Sequence, residues 1–125
     1  VSGDAIFKSY SEKVSSPDIG GAIAALDLSK ANTFTFTPNR NVDMFEILNV
    51  PSDSTTFTIR IKNPGNYTVD IDTFVMGGDS IPVYWPGGVV PQVSDSTDIY
   101  SFKIFDGSDV ENDGIYGVVG GQNFS

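Results

Sequence analysis

The sequence predicts an all-β protein, a single antiparallel β-sandwich of the jelly-roll type with about eight strands. Val and Ile together number 24 against 3 Leu, and 9 Phe and 5 Tyr accompany them, a bias typical of pleated, half-buried surfaces. Of the 16 acidic residues, 13 are Asp, which suits turns and caps better than helix interiors. Short apolar runs also recur about every 8 to 12 residues, the spacing of sandwiches and barrels.

Composition limits the classes of protein to consider. At 125 residues the chain is one domain, and no apolar run approaches the roughly 18 residues of a spanning helix, so membrane insertion is not expected. The net charge of −9 argues against nucleic acid, which needs clustered Lys and Arg. An acidic surface supplies solubility and repulsion between copies. The chain begins at Val1 without Met, so we expect a fragment of a longer polypeptide or a processed product.

Residues 1–19 are predicted to form an N-terminal arm or linker. They are Ser-rich, and Ile6, Phe7, Tyr10 and Val14 are spaced almost as on a helix until Pro17. The arm would dock on a neighbouring subunit or on the rest of a fibre; the alternative is an edge strand or loop on its own domain. Residues 20–125 form the predicted sandwich domain, with strands at 22–28, 33–37, 42–50, 55–62, 67–75, 81–85, 97–105, 114–119 and, as a last edge, 122–125.

A hairpin is predicted around Pro64-Gly65-Asn66, joining strands 55–62 and 67–75. Matching the apolar faces of both strands requires a three-residue loop with Asn66 in the left-handed region, a conformation that Asn tolerates. This register places Ile59 opposite Ile71 in the core and Arg60 opposite Asp70 outside.

No enzymatic activity and no cofactor are expected. The chain has no His and no Cys, which excludes Ser-His-Asp and Cys-His triads and removes the commonest general base. A carboxylate pair of the kind that glycosidases use would have to come from the Asp residues and from Glu12, Glu46 and Glu111. Glu46 lies between apolar neighbours, which is more typical of a sheet-edge or subunit-contact position than of a catalytic acid.

Metal binding is not expected either. The densest acidic loop, residues 106–114, offers oxygen ligands that could bind Ca²⁺. If Asp109 begins an EF-hand loop, however, position 12 is Gly120, and the bidentate Glu is missing. A solvated hairpin loop explains the segment equally well.

Tyr84 and Trp85 are the candidate ligand-binding residues, as a platform on which a glycan could stack. The competing interpretation is that Trp85 is a core or subunit-interface residue that closes the end of the sandwich, while Pro86-Gly87-Gly88 turns the chain.

The C-terminal third carries a resemblance to a known class. The matching features are the Trp85-Pro86-Gly87-Gly88 turn with Pro91 after it, the segment from Asp98 to Phe102, the Asp106-Gly107 turn, and the C-terminal segment from Tyr116-Gly117 to Phe124. A weaker match lies in Leu26-Asp27-Leu28-Ser29 followed by Asn32 and Phe34. Over residues 20–125 the chain resembles the closing module of fibre and virion structural proteins of tailed phages, especially marine and cyanobacterial ones.

The resemblance implies a non-enzymatic virion structural protein: a fibre, spike or capsid-decoration module on the virion surface, which contacts other virion proteins. Such modules usually associate about a threefold axis, so a homotrimer is expected. Strand 42–50 has too little polar alternation for one solvated face, so both of its faces should be covered. The predicted interface or core residues are Met44, Phe45, Ile47, Leu48, Ile115, Tyr116, Val118, Val119 and Phe124. The alternatives are a carbohydrate-binding receptor-recognition module that contacts a host glycan, and a surface or pilus subunit that pairs through residues 1–19.

Overall fold

The computed structural model describes residues 13–125, which fold as two β-sheets packed face to face. Strands are numbered along the chain. The six-stranded sheet contains, in spatial order, β1 (Val14–Ser15), β4 (Thr33–Phe36), β6 (Thr55–Lys62), β10 (Thr97–Ile104), β11 (Ile115–Phe124) and β9 (Val83–Tyr84). The five-stranded sheet contains β2 (Asp18–Gly20), β3 (Ile23–Asp27), β5 (Met44–Leu48), β7 (Phe74–Met76) and β8 (Asp79–Ile81). A 3₁₀ turn (Pro86–Gly88) and the short helix α1 (Val110–Asp113) complete the described elements.

The sandwich is confirmed, but its sheets are mixed, so the prediction of a purely antiparallel fold was wrong. From β3 to β7 the chain alternates between the sheets at every step. Each crossing reverses the chain direction, and strands two apart in sequence therefore run parallel within one sheet. β3, β5 and β7 pair in this way, as do β4 and β6. Antiparallel pairing is found between β10 and its neighbours β6 and β11, and in the β2–β3 and β7–β8 pairs.

An aromatic column joins the two sheets at the centre of the core. Phe57 and Phe102, on adjacent strands of the six-stranded sheet, stack with ring centroids 5.2 Å apart. Phe45 and Phe74 stack at 5.5 Å in the five-stranded sheet, and Phe74 lies 5.1 Å from Phe102 across the interface between the sheets. All four rings are at most 1% exposed. This continuous packing fixes the spacing of the sheets and therefore the position of every side chain on their outer faces.

The predicted turn at residues 64–66 is present in part. Asn66 has φ 54°, in the left-handed region as predicted, and Ile59 is buried while Arg60 is exposed. The predicted partners were wrong. Ile59 lies between Phe34 and Tyr100, and Arg60 donates a 2.9 Å hydrogen bond from Nε to Thr35 Oγ1.

The chain does not return along β6 because the Asn63 side chain redirects it. Asn63 is fully buried. Its side-chain amide accepts a hydrogen bond from the Tyr67 N–H at 3.0 Å and donates one to the Tyr67 C=O at 2.8 Å. These are the two hydrogen bonds that a neighbouring strand would otherwise make to Tyr67. Residues 67–71 then cross to the other sheet, where Val69 forms a parallel bridge with Val42. Ile71 and Asp70 consequently lie away from β6, and β10 pairs with β6 along its whole length.

From residue 13 onward, the N-terminal segment fits the alternative of an edge strand on its own domain. Residues 14–15 and 18–20 form edge strands of the two sheets, and buried Pro17 lies between them, so this part belongs to the sandwich and not to an arm. Residues 1–12 lie outside the described residues, and the arm hypothesis remains a prediction for them alone.

Candidate functional site

An aromatic groove lies on the outer face of the six-stranded sheet, where alternation turns every second side chain of β10 and β11 away from the core. We define the aromatic groove by the exposed side chains of Tyr84, Phe105, Tyr116 and Val118. The Phe105 and Tyr116 rings meet edge to face with centroids 5.4 Å apart, and Tyr84 lies 5.1 Å from Tyr116. The depression beside them has a volume of about 610 Å³ and is also lined by Thr56, Ser101, Lys103 and Asp113.

Further apolar side chains are exposed at the end of β11, where Phe124 pairs with outward-facing Thr97, and in the segment after the 3₁₀ turn, where Val90 lines a depression with residues 66–71. We define the valine edge by Val89, Val90, Val119 and Phe124, which are 72%, 46%, 43% and 51% exposed. The two stretches of chain that carry it are linked by a 2.7 Å hydrogen bond from Gln122 Nε2 to the Gln92 carbonyl. Strand β9 pairs with β11 only at Ile115 and Tyr116. Pro86, two residues after the end of β9, has no N–H to donate a further hydrogen bond to β11. Within residues 13–125, no backbone hydrogen bond joins 118–124 to 86–93.

The predicted interface or core residues divide into two groups. Phe45, Ile47 and Ile115 are fully buried core residues, whereas Leu48, Tyr116, Val118, Val119 and Phe124 are exposed. β5 is an interior strand, and its outward side chains Met44 and Glu46 are half-buried. Within one chain the outward face of strand 42–50 is only half-covered and Leu48 is at the surface, so the expectation that both faces are covered stays a prediction about an assembly. Parallel neighbours on both sides account for the apolar character of β5.

Trp85 is a core residue. It is 7% exposed, packs edge-on against Phe102 at 5.6 Å, and donates a 2.8 Å hydrogen bond from Nε1 to Asp72 Oδ1. A Cβ on Gly117 would lie 2.8 Å from the indole ring, so this glycine makes room for it in β11. Tyr84, the preceding residue of β9, is 46% exposed on the opposite face. The two rings therefore do not form the shared glycan platform considered from the sequence.

A buried carboxylate that sequence reasoning missed holds the end of β11. Asp98 is fully buried and accepts hydrogen bonds from the Tyr100 hydroxyl at 2.6 Å, the Asn123 N–H at 2.8 Å and both the N–H and Oγ of Ser94. Burial alone would raise the pKa of Asp98, but these hydrogen bonds outweigh it and lower the pKa. Burial and the bond to Asp98 raise the pKa of Tyr100. The sequence could have indicated that Asp98 is buried, because it alternates with Tyr100, Phe102 and Ile104, which all point into the core.

Of the Glu residues in the described chain, Glu111 has a carboxylate neighbour in Asp79. Glu46 and Glu111 lie on different elements, and Glu12 is outside the described residues. A hydrogen bond with Asp79 and repulsion from it raise the pKa of Glu111, which is exposed. In loop 106–114, Asp106 accepts hydrogen bonds from Ser108 and Asp109 accepts one from Asn112, and the loop contains the short helix α1. Within residues 13–125 no three potential metal-ligating side chains come together.

Comparison with known proteins gives no match: no family model, curated protein or solved structure is similar to this chain. Among residues 13–125, no helix has the length and apolarity that crossing a membrane requires. The geometry thus defines a two-sheet β protein with an extended apolar surface around β11.

Proposed function

We propose that this chain is a non-enzymatic virion structural module, of a fibre, spike or capsid decoration, that acts by self-association into a trimer and by surface contacts with other virion proteins. One observation carries the proposal. Of the twelve exposed large hydrophobic side chains in residues 13–125, eight belong to the aromatic groove or the valine edge. Concentrating exposed apolar groups around one strand is typical of a protein–protein interface.

The electrostatics support the same proposal. With a net charge of −9, copies of the chain repel one another wherever their acidic loops face each other. The two charged residues that line the aromatic groove, Lys103 and Asp113, are opposite in sign, so copies can approach there with little net repulsion. The resemblance of residues 20–125 to tailed-phage virion modules supplies the biological class, and the threefold association follows from that resemblance.

Two measurements test the proposal. Light scattering on the folded protein should give a mass near three copies of the 13.4-kDa chain at micromolar concentration. An antibody against the chain should label purified particles from its source at a defined place on the tail or capsid. A mass near one copy contradicts trimeric assembly, and an absence of label from every particle fraction contradicts the virion role.

A second candidate function, recognition of a host glycan, is favoured by one feature of the aromatic groove. Tyr84 and Tyr116 present neighbouring rings tilted by 34° at 46% and 43% exposure, and such rings can stack on sugars. A glycan array with Tyr84→Ala as the control variant tests it: binding that the variant loses supports recognition, and an array without binding contradicts it.

A further inference from the structure

The outer face of the six-stranded sheet is positively charged on an acidic protein. The whole chain has a net charge of −9 and only 7 Lys and Arg. Three of these cations, Arg60 and Lys62 on β6 and Lys103 on β10, alternate with buried residues and therefore point outward from this sheet. The only acidic residue in the six described strands is Asp98, which is buried in the core.

The strands of the five-stranded sheet have the opposite charge. They contain Asp27, Glu46 and Asp79, and none of these described strands contains Lys or Arg. The two sheets therefore separate the charges of the chain, and an anion can approach the six-stranded sheet with less repulsion than elsewhere on the surface. We define the cationic face by the outward side chains of β4, β6, β10 and β11, together with Tyr84 of β9.

The three cations are available to a ligand. Within residues 13–125, no ion pair neutralises any of them. Arg60 donates from Nε to Thr35 Oγ1 at 2.9 Å, which leaves the two terminal amino groups of its guanidinium for another acceptor. Lys103 Nζ lies 5.5 Å from the centroid of the Phe105 ring, so the ammonium group is held beside the aromatic groove.

Hydroxyl groups and aromatic rings occupy much of the rest of the cationic face. In the register of the sheet, Lys103 lies beside Tyr116, and the row of Lys62 continues through Thr97 to Phe124. Each end of the face therefore combines a cation with an aromatic ring, and the six residues from Thr97 to Lys103 separate these ends by about 20 Å. The hydroxyls between and around them include those of Thr35, Thr56, Thr58, Thr97 and Ser101.

We propose that the cationic face binds an acidic polysaccharide, a chain of several sugars that carry carboxylate groups. The terminal amino groups of Arg60 and the ammonium groups of Lys62 and Lys103 pair with carboxylates. Tyr116 and Phe124 stack on the apolar faces of sugar rings, and the Thr and Ser hydroxyls exchange hydrogen bonds with sugar hydroxyls. This inference rests on the second candidate function, recognition of a host glycan, and adds to it the class of glycan and the surface that holds it.

Nucleic acid fits this face less well. A nucleic acid strand carries one phosphate about every 3.4 Å of helix axis, whereas three cations are distributed over about 20 Å here. Most of the phosphates would remain without a partner on a protein of net charge −9. A polysaccharide with fewer charges and many hydroxyls matches the composition of the face more closely.

Isothermal titration calorimetry on the wild-type protein makes the first test, with a hexasaccharide of uronic acids and cellohexaose, a neutral chain of the same length. The acidic hexasaccharide should bind about tenfold more tightly, because three ion pairs add to the stacking contacts that both ligands make. Its affinity should fall as sodium chloride is added, since salt screens exposed charges. This comparison uses no variant, so it does not depend on how a substitution affects folding.

Two variants locate the site. Arg60→Gln and Lys103→Gln should each weaken binding of the acidic hexasaccharide by about two- to fivefold, with circular dichroism unchanged. The matched controls are Arg40→Gln and Lys30→Gln, which remove exposed cations outside the strands of this sheet and should bind like the wild type.

The outcomes separate this inference from the functions on which it builds. Equal binding of the two hexasaccharides, or wild-type affinity in both Arg60→Gln and Lys103→Gln, overturns the cationic face as the site and leaves glycan recognition standing. Tighter binding of a thymidine hexanucleotide than of the acidic hexasaccharide overturns it in favour of nucleic acid. If neither hexasaccharide binds, the inference is also overturned, and glycan recognition is overturned with it only when the glycan array shows no binding. Light scattering tests trimeric assembly independently of all these results.

Discussion

Asp98 shows how one buried side chain can organise the end of a strand. Its carboxylate accepts from the loop at Ser94, from Tyr100 within its own strand and from Asn123 in β11. Gln122, which also donates to Tyr100 Oη at 2.8 Å, connects this network to the segment beside the valine edge. The network is fully satisfied, so it fixes the path of residues 120–124 where the regular ladder is interrupted.

Replacing Asp98 by Asn should lower the free energy of unfolding at pH 7 by about 1–3 kcal/mol, because buried donors lose a charged acceptor. The folded-state pKa of Asp98 is lowered, so its contribution is full above the unfolded value of about 3.9 and is lost as pH falls through the folded value. The difference between wild type and variant, measured by urea denaturation, should therefore shrink below about pH 4. Asp95→Asn, at an exposed position, is the control. A difference that grows in acid would contradict this assignment.

Asn66 makes a second residue-scale test, since its φ of 54° favours Asn or Gly. Asn66→Val should destabilise by about 1–2 kcal/mol, because a β-branched residue resists this conformation. Asn66→Gly should leave the thermal midpoint nearly unchanged. Equal losses for Val and Gly would mean that the side chain of Asn66, and not its backbone, stabilises the turn.

At the scale of elements, β6 demonstrates the alternation that the sequence predicted. Ile59→Ala should cost about 2–5 kcal/mol, as truncations of buried Ile do. Arg60→Ala should cost less than about 1 kcal/mol, since Arg60 is exposed and its bond reaches the half-buried Thr35 at the outer face. Chemical denaturation measures both, and a loss at Arg60 as large as that at Ile59 would contradict the assignment of faces.

The contact between β11 and the segment after β9 depends on a glycine. Gly117→Ala would place a methyl group 2.8 Å from the Trp85 ring, so we expect a loss of about 1–3 kcal/mol from overpacking. The single Trp provides the readout, since displacement of its ring towards solvent should shift its emission to longer wavelength. Gly20→Ala is the control, because no atom lies within 4 Å of a Cβ there. An unchanged stability and spectrum would show that Trp85 is not held against Gly117.

At the scale of the whole molecule, stability should come from the core between the sheets and not from a bound cation. Chelation by EDTA is expected to move the thermal midpoint by less than about 5 °C, the effect of roughly 1 kcal/mol in a domain of this size. A larger decrease, reversed by adding Ca²⁺, would identify loop 106–114 as a calcium site. Scanning calorimetry in the presence and absence of EDTA makes the measurement.

The sequence alone determined the β class and most strand positions, because β-branched and aromatic alternation reports local backbone geometry directly. Strands predicted at 22–28, 33–37, 42–50, 55–62 and 97–105 occur at β3, β4, β5, β6 and β10. The inward face of β6 could be predicted for the same reason. Asn66 is left-handed as predicted, although the hairpin register from which this was inferred does not form.

Tertiary structure decided which strands pair and which apolar residues stay exposed. Alternation specifies a face but not a neighbour, so it could not show that Asn63 ends the expected hairpin or that β10 takes its place beside β6. Composition likewise could not separate Phe45 and Ile115, in the core, from Tyr116, Val118 and Val119, at the surface. Burial depends on how far the second sheet extends over the first, and long-range packing sets that extent.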